Sequence, residues 1–229
     1  MAKNTLEHHA VLTALLAKHA IESAGERGKE AFIAGVTRLG MERGTRMAAR
    51  AILRGDKLNL ASFQAYGEWR ADEGVMDFVT ESLSPVCLTR ARKCGWNDAW
   101  RKHGLLEWGK YFCLTIDDAL ARGFSAELGC SVRHNMSWGA PDCEFDWKIA
   151  LTQEEAAWVS KKKAELGTAC IKDFDYHTGH VLHSVAGEIA ERLSAQGQDI
   201  VDRALADFAA IFGSDCIDAA KAAYSKGEL

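Results

Sequence analysis

Four arginines, Arg43, Arg46, Arg50 and Arg54, follow one another at three- and four-residue steps. On a helix such steps keep side chains on one face. Toward the N-terminus the same face carries Phe32, Val36 and Leu39, so an apolar stripe turns into an arginine stripe. An arginine taken out of water needs a carboxylate or phosphate, which it grips through two parallel N–H donors. A small molecule bearing a carboxylate would meet that need, with Arg43, Arg46 and Arg50 as its binding residues. Two arrangements compete with this one. The helix could break at Gly40 or Gly44 and leave the arginines in water, or Glu68, Asp72 or Glu73 could supply the counter-charge. Glu68 could equally serve as an acid or base in its own right.

Thiols and further acids offer a second kind of chemistry. Cys113 and Asp117 stand four residues apart in GKYFCLTIDDALARGF. A helix predicted over 105–122 puts them on one face, beside the stripe of Phe112, Ile116 and Leu120. There the carboxylate could act as a general base or orient a partner, or the pair could be a core cysteine and a surface aspartate. Cys143 and His134 fall on a predicted β-hairpin. Keeping its apolar residues on one side pairs Met136 with Cys143, His134 with Phe145 and Val132 with Trp147. His134 then sits diagonal to Cys143, with Cβ atoms roughly 7 Å apart. A cysteine beside a histidine yields a thiolate nucleophile near neutral pH; the plainer reading is strand packing and a core histidine. His177, His180 and His183 recur at three-residue steps, each turned about 60° backwards around a helix. A metal held by His177 and His180 would therefore need ligands from another element, such as His8 or His9. Trp96, with Cys94 in KCGWNDAW, is a candidate pocket residue, and aromatic core packing is its rival reading.

The elements that must position these groups follow from hydrophobic period. Helical spacing is predicted over 5–24, from Lys29 through the arginine stripe, over 59–80, 98–101, 105–122 and 152–165, and in the C-terminal stretches around 182–193 and 201–212. Residues 84–94 and 171–176 read as irregular. Residues 128–136 change to period two, Ser137 to Pro141 turns the chain, and Cys143, Phe145 and Trp147 alternate on the return, which is a hairpin. The expected fold is α+β and mostly helical, with helix pairs from both chain ends packed around a small antiparallel hairpin or sheet. No proline- or serine-rich linker divides the chain, so a single domain over 1–229 is expected, with N-terminal helices over 5–80, a central helix and hairpin over 105–148 and C-terminal helices over 152–223.

The 229 residues are 48% hydrophobic, enough for a sizeable core. A net charge of -4 is unlike the basic balance of a nucleic-acid-binding domain. The start lacks a signal-peptide pattern, and no run approaches the ~18 apolar residues of a membrane span. Seven cysteines without a CxxC pair fit thiols in a reducing compartment. The sequence therefore reads as a cytoplasmic protein with a small-molecule partner, no nucleic acid and no membrane; a homo-oligomer is compatible with it.

Five stretches occur in an order that carries a resemblance: RGTRMAARAILRGDKL (43–58), AYGEW (65–69), KCGWNDAW (93–100), GKYFCLTIDDALARGF (109–124) and GAPDCEFDW (139–147). With His8-His9 and YHTGH (176–180) at the flanks, the chain resembles the L-2-amino-thiazoline-4-carboxylate hydrolase family. Two positions depart from that pattern. Cys94-Gly95-Trp96 stands where Cys-Pro-Trp is expected, and His134 stands where a smaller or aliphatic residue is expected. The resemblance implies hydrolysis of a small heterocycle: water adds to the ring carbon between nitrogen and sulfur, and N-carbamoyl-cysteine results. It implies Cys143 or Cys113 as nucleophile or thiol partner and Asp117 as acid/base; His134, which lies outside the matching stretches, and Glu68 are further candidates from their residue types alone. Arg43, Arg46, Arg50, Trp96 and Cys94 are the expected substrate contacts. No cofactor is expected. Two rival functions stay open: a non-catalytic protein binding a heterocycle or carboxylate, and a metal-dependent cyclic amidohydrolase using zinc or manganese.

Overall fold

The structure is a computed structural model describing residues 3–226. In chain order the elements are α1 (Leu6–Ala24), α2 (Glu26–Leu53), α3 (Leu60–Ala65), β1 (Asp77–Ser82), β2 (Leu88–Lys93), α4 (Gly95–Lys102), α5 (Leu106–Gly109), α6 (Ile116–Phe124), β3 (Ser131–His134), β4 (Cys143–Asp146), α7 (Gln153–Leu166), α8 (Phe174–Val181), α9 (Gly187–Arg192), α10 (Gly197–Phe212) and α11 (Ser214–Lys226). A π-helical turn, Leu182–Ala186, joins α8 to α9. The fold is α+β, mostly helical, with one small antiparallel sheet. Among the described residues no helix is long and apolar enough to cross a membrane.

Capping follows the sequence closely. Asn59 accepts from the Ser62 N–H at the start of α3, and Thr152 and Glu155 cap α7 reciprocally. α2 runs unbroken through Gly40 and Gly44, as the arginine stripe requires. Two of the helix expectations fail, and the stretch 84–94, expected to be irregular, holds β2. The helix expected over 59–80 stops at Ala65, and Asp77–Ser82 forms a strand instead. The helix expected over 105–122 is interrupted by a 3-10 turn at Phe112–Leu114 and by Thr115, whose φ of -133 is not helical. Cys113 on that turn and Asp117 on α6 therefore do not share one continuous helical face.

The described chain forms two compact units. One comprises the residues up to Leu39, Gly95–Ile116 and the residues from Asp173; the other comprises Gly40–Cys94 and Asp117–Lys172. The first is helical, with α1 packed on α4, α5, α8 and α10, so helices from both chain ends meet. Asp175 ties its N-terminal segment down, accepting from the backbone N–H groups of Lys3 and Asn4 and from the Asn4 amide.

The second unit holds the sheet, in the order β1-β2-β4-β3 with every pairing antiparallel. Phe78, Ala91 and Cys143 are in register across three strands, and Thr89 pairs with Phe145 on the same side. Arg90 lies opposite Glu144, and its guanidinium reaches Glu81, Asp142 and Glu144 at 2.6–2.8 Å. The sheet thus has one apolar face and one laced with ion pairs. Under it lies a core built from Met47, Leu60, Phe63, Tyr66, Phe124, Leu128, Val159 and Leu166.

The hairpin register differs from the expected one by two residues. Val132 faces Phe145 rather than Trp147, and a bulge at Arg133 sets His134 opposite Glu144. A bulge inserts one unpaired residue and re-aims the side chains beyond it. His134 consequently points to solvent, its Nδ1 3.5 Å from Asp142, instead of lying diagonal to Cys143 on the apolar face.

Candidate active site

Glu68 decides where the arginine stripe goes. Its side chain is 0% exposed. Arg50 donates to it at 2.6 Å, Arg46 reaches both its oxygens at 3.1 and 3.3 Å, and the Arg43 Nε stands 3.8 Å away. Burial alone would raise the Glu68 carboxyl, but the surrounding arginines outweigh it and hold the group below the usual range. One carboxylate thus anchors three guanidinium groups, so the cluster carries an excess of positive charge. Arg54, one turn further on, is exposed and lies outside it.

Arg43 is the member of this cluster with unused capacity. It makes no hydrogen bond among the described residues, and its Nε is buried without a partner. Burial lowers it to about 10, with Glu68 opposing the shift. Beside it comes Asp117, from the first turn of α6. Burial raises the Asp117 carboxyl to about 6, and the charge of Arg43 is what restrains it from rising further. The neighbouring Asp118 has a structural task, accepting from the Cys130 N–H at 3.0 Å and from Arg122 at 2.7 Å. Asp117 accepts no hydrogen bond among the described residues.

Two glycines permit this approach of α2 to α6. A Cβ on Gly44 would lie 2.2 Å from the Leu120 carbonyl oxygen, and one on Gly123 would lie 2.3 Å from that of Met41. The backbones therefore touch directly, beside Arg43 on one helix and near the end of the other. A glycine inside a helix is destabilising by ~0.5–1 kcal/mol relative to alanine, which the close crossing offsets here.

Arg43 and Asp117 both line a cavity of about 420 Å³ within the second unit. Its walls include Phe63, Trp69, Phe78, Phe145 and Trp147, together with Leu166 at the end of α7 and Cys170 and Ile171 after it. The rings pack on one another, Phe63 to Trp147 at 5.2 Å and Phe145 stacked on Trp147 at 6.2 Å. An aromatic box in which one buried carboxylate and one buried guanidinium come together, with the exposed Arg70 and Lys163 at its edge, suits a flat, polar heterocycle carrying both kinds of charge.

The expected thiols are placed otherwise. Cys143 is buried with Ala91, Cys130 and Phe145, and it does not line the cavity. It accepts from the Met136 N–H at 3.3 Å, yet burial pushes its thiol up and the charge of Asp117 adds to that. Cys130 is raised for the same two reasons. These are protonated core thiols close behind Asp117, unlike an activated nucleophile. Cys113 and Trp96 belong to the helical unit, where the Trp96 indole donates to His9 at 3.0 Å. Cys94 follows β2 and is half-buried. The thiol that does line the cavity is Cys170, which lies between the helix expected over 152–165 and the irregular stretch 171–176 and carries no periodic signal. Arg70 and Lys163 lie on stretches expected to be helical, over 59–80 and 152–165, where single cations give no signal of their own. The aromatic walls did leave a signal, the alternation of Phe145 and Trp147.

His177 and His180 are buried in α8 among rings, with His180 stacked on Tyr224 at 5.3 Å. Among the described residues no three His, Cys, Asp or Glu side chains come together in a way that could hold a metal ion. A family model described as L-2-amino-thiazoline-4-carboxylic acid hydrolase matches residues 3–147. No curated protein and no solved structure matches the chain.

Proposed function

The chain belongs to the L-2-amino-thiazoline-4-carboxylic acid hydrolase family, and from that premise we propose that it opens a small cyclic amidine or thiazoline carboxylate by hydrolysis in the cavity beneath the sheet. The observation that carries this reading is the pairing of Asp117, raised to about 6, with an Arg43 that has no hydrogen-bond partner among the described residues, both inside an aromatic-walled cavity.

Such a substrate carries a carboxylate and a polar ring. Arg43 binds the carboxylate through two N–H donors, held in position by its attraction to Glu68. Phe145 and Trp147 pack against the ring, whose sulfur favours aromatic neighbours. Asp117 is the acid/base. As a water oxygen bonds to the ring carbon between nitrogen and sulfur, Asp117 takes the water proton and passes it to the ring nitrogen. The tetrahedral carbon then collapses: its hydroxyl proton goes to Asp117, the carbon–sulfur bond breaks, and the sulfur leaves with that proton. The product is an N-carbamoyl amino acid with a thiol. A carboxyl poised near 6 can run both steps, because it gains and loses a proton at little cost around neutral pH. In this scheme water is the nucleophile and no cysteine needs to be ionised.

The test is product identification by mass spectrometry with 2-aminothiazoline-4-carboxylate. Wild-type protein is expected to add one water to the substrate, and Asp117→Asn is expected to lose on the order of 10²–10⁴ in kcat while keeping its circular dichroism. Full turnover by Asp117→Asn would overturn the assignment. Thermal stabilisation by the compound with no change of mass would favour the rival reading, a binding protein.

A further inference from the structure

The cavity is too large, and too positive, for the ring acid alone. A cavity of about 150 Å³ accepts benzene, so a ring acid of nine non-hydrogen atoms needs roughly 200 Å³. The cavity here measures about 420 Å³. About half of it remains once such a ring sits between Arg43 and Asp117.

The charges lining that volume are three cations, Arg43, Arg70 and Lys163, against the single carboxylate of Asp117. Arg43 is nearly enclosed, with 13% of its side chain exposed. Arg70 and Lys163 are exposed residues, which puts them at the mouth. Neither has an acidic partner: Arg70 donates one hydrogen bond, to the Gly167 carbonyl at 3.4 Å, and Lys163 makes no side-chain ion pair among the described residues. The next residue but one in α7, Lys161, is exposed, whereas Lys162 is committed to Asp56 and Glu165. Other cations of this unit without an acidic partner among the described residues, such as Arg54, Lys57 and Arg92, do not line the cavity, whereas Arg90 is held by three carboxylates. Two unpaired cations at the rim of a half-filled cavity are an anion site of their own.

We propose that the substrate is a ring acid bearing a second anionic group, a carboxylate or phosphate, on an arm that reaches from the ring to Arg70 and Lys163. This rests on the hydrolase reading for the ring end and adds the chemistry of the other end. Lys163 lies beyond the residues that the family model matches, so the family description does not supply this feature. The ring sits with its own carboxylate on Arg43, the arm runs along Phe78 and Ile171, and the distal anion exchanges water for the guanidinium and ammonium groups.

The test uses the full-length protein and two probes: 2-aminothiazoline-4-carboxylate, and the same ring with a carboxyalkyl arm on ring carbon 5. Affinities are measured by calorimetry and products by mass spectrometry, for wild type and for the double variant Arg70→Gln/Lys163→Gln. The armed ring is expected to bind about tenfold tighter than the bare ring. The double variant is expected to erase that difference and leave the bare ring unaffected. Equal affinity of wild type for both probes overturns the proposal, as does a double variant that keeps the difference. If the armed ring binds through Arg70 and Lys163 but returns unchanged in mass, the hydrolase reading fails and the second-anion site stands. If the bare ring is hydrolysed and the arm adds nothing, the hydrolase reading stands and this proposal fails. Binding of neither probe overturns both.

Discussion

At the scale of single residues, Asp117 carries a proton equilibrium with two consequences. As the acid/base it must start ionised, so kcat/KM is expected to rise with pH through about 6. Arg43 restrains that shift, so Arg43→Gln is expected to move the acid limb of the kcat profile to higher pH. A limb that stays in place, or moves down, would mean that Arg43 does not act on the carboxyl. The second consequence is for stability. The folded-state pKa lies above the ordinary carboxylate value, so the native protein binds this proton more tightly than the unfolded chain. Stability is then greatest below pH 4 on this account and falls as pH rises toward 6, by up to about 3 kcal/mol for a shift of about two units. Asp117→Asn removes the buried charge and is expected to raise the denaturant midpoint at pH 7.5, with little change at pH 4. The same substitution should therefore abolish turnover and strengthen the fold. Equal midpoints at pH 7.5 would show that the carboxylate is not strained by burial.

At the scale of elements, two contacts hold the site: the crossing of α2 with α6, and the arginine cluster on Glu68. Gly44→Ala would put a methyl group 2.2 Å from the Leu120 carbonyl oxygen. Overpacking of this kind costs ~1–3 kcal/mol and moves the helices apart. The expected outcome is a lower urea midpoint together with lost turnover, since Asp117 would be drawn from Arg43. Glu68→Gln keeps the shape but leaves Arg43, Arg46 and Arg50 without their shared counter-charge. Breaking a buried ion pair from one side costs ~3–5 kcal/mol, so this variant should unfold at much lower urea concentration, or fail to accumulate folded. A midpoint like wild type would show that the arginines are balanced by solvent instead.

The α2 stripe was legible because 3.6-residue spacing survives glycine. The hidden elements failed for local reasons. Asp77–Ser82 and Leu88–Lys93 hold strands whose side chains are mostly half-exposed or charged, so neither the apolar run nor the clean alternation of a covered strand is present. Their pairing with each other and of β2 with β4, and not their own composition, makes them strands. His134 was misplaced because a bulge cannot be seen in a hydrophobic pattern, and one extra residue reverses which way a strand side chain points.

At the scale of the molecule, neither unit is one continuous stretch of chain. Residues up to Leu39 need the α4–α5 region and everything from Asp173 to complete their core, and the cavity needs the stretch Leu166–Ile171 to close one wall. A chain cut after residue 150 would keep the whole stretch that the family model matches, yet lose α7 and the four helices α8 to α11. It is expected to show no cooperative thermal transition by circular dichroism. A sharp transition in the truncated chain would show that residues 1–150 suffice for folding.

What the sequence determined by itself was the local and periodic part: most of the helices, the β3–β4 hairpin though not its register, the family, the arginine stripe, and Asp117 and Glu68 as candidates. These follow from steric and hydrophobic rules that act over a few residues. Only the tertiary structure decided which arginine was left unsatisfied, that Glu68 is a counter-ion to three of them, and that Cys143 lies behind the cavity while Cys170 lies in it. Those outcomes depend on burial and on charges brought together from distant parts of the chain. A carboxylate at 0% exposure is fixed by its partners, and no pattern within five residues of Glu68 records who those partners are.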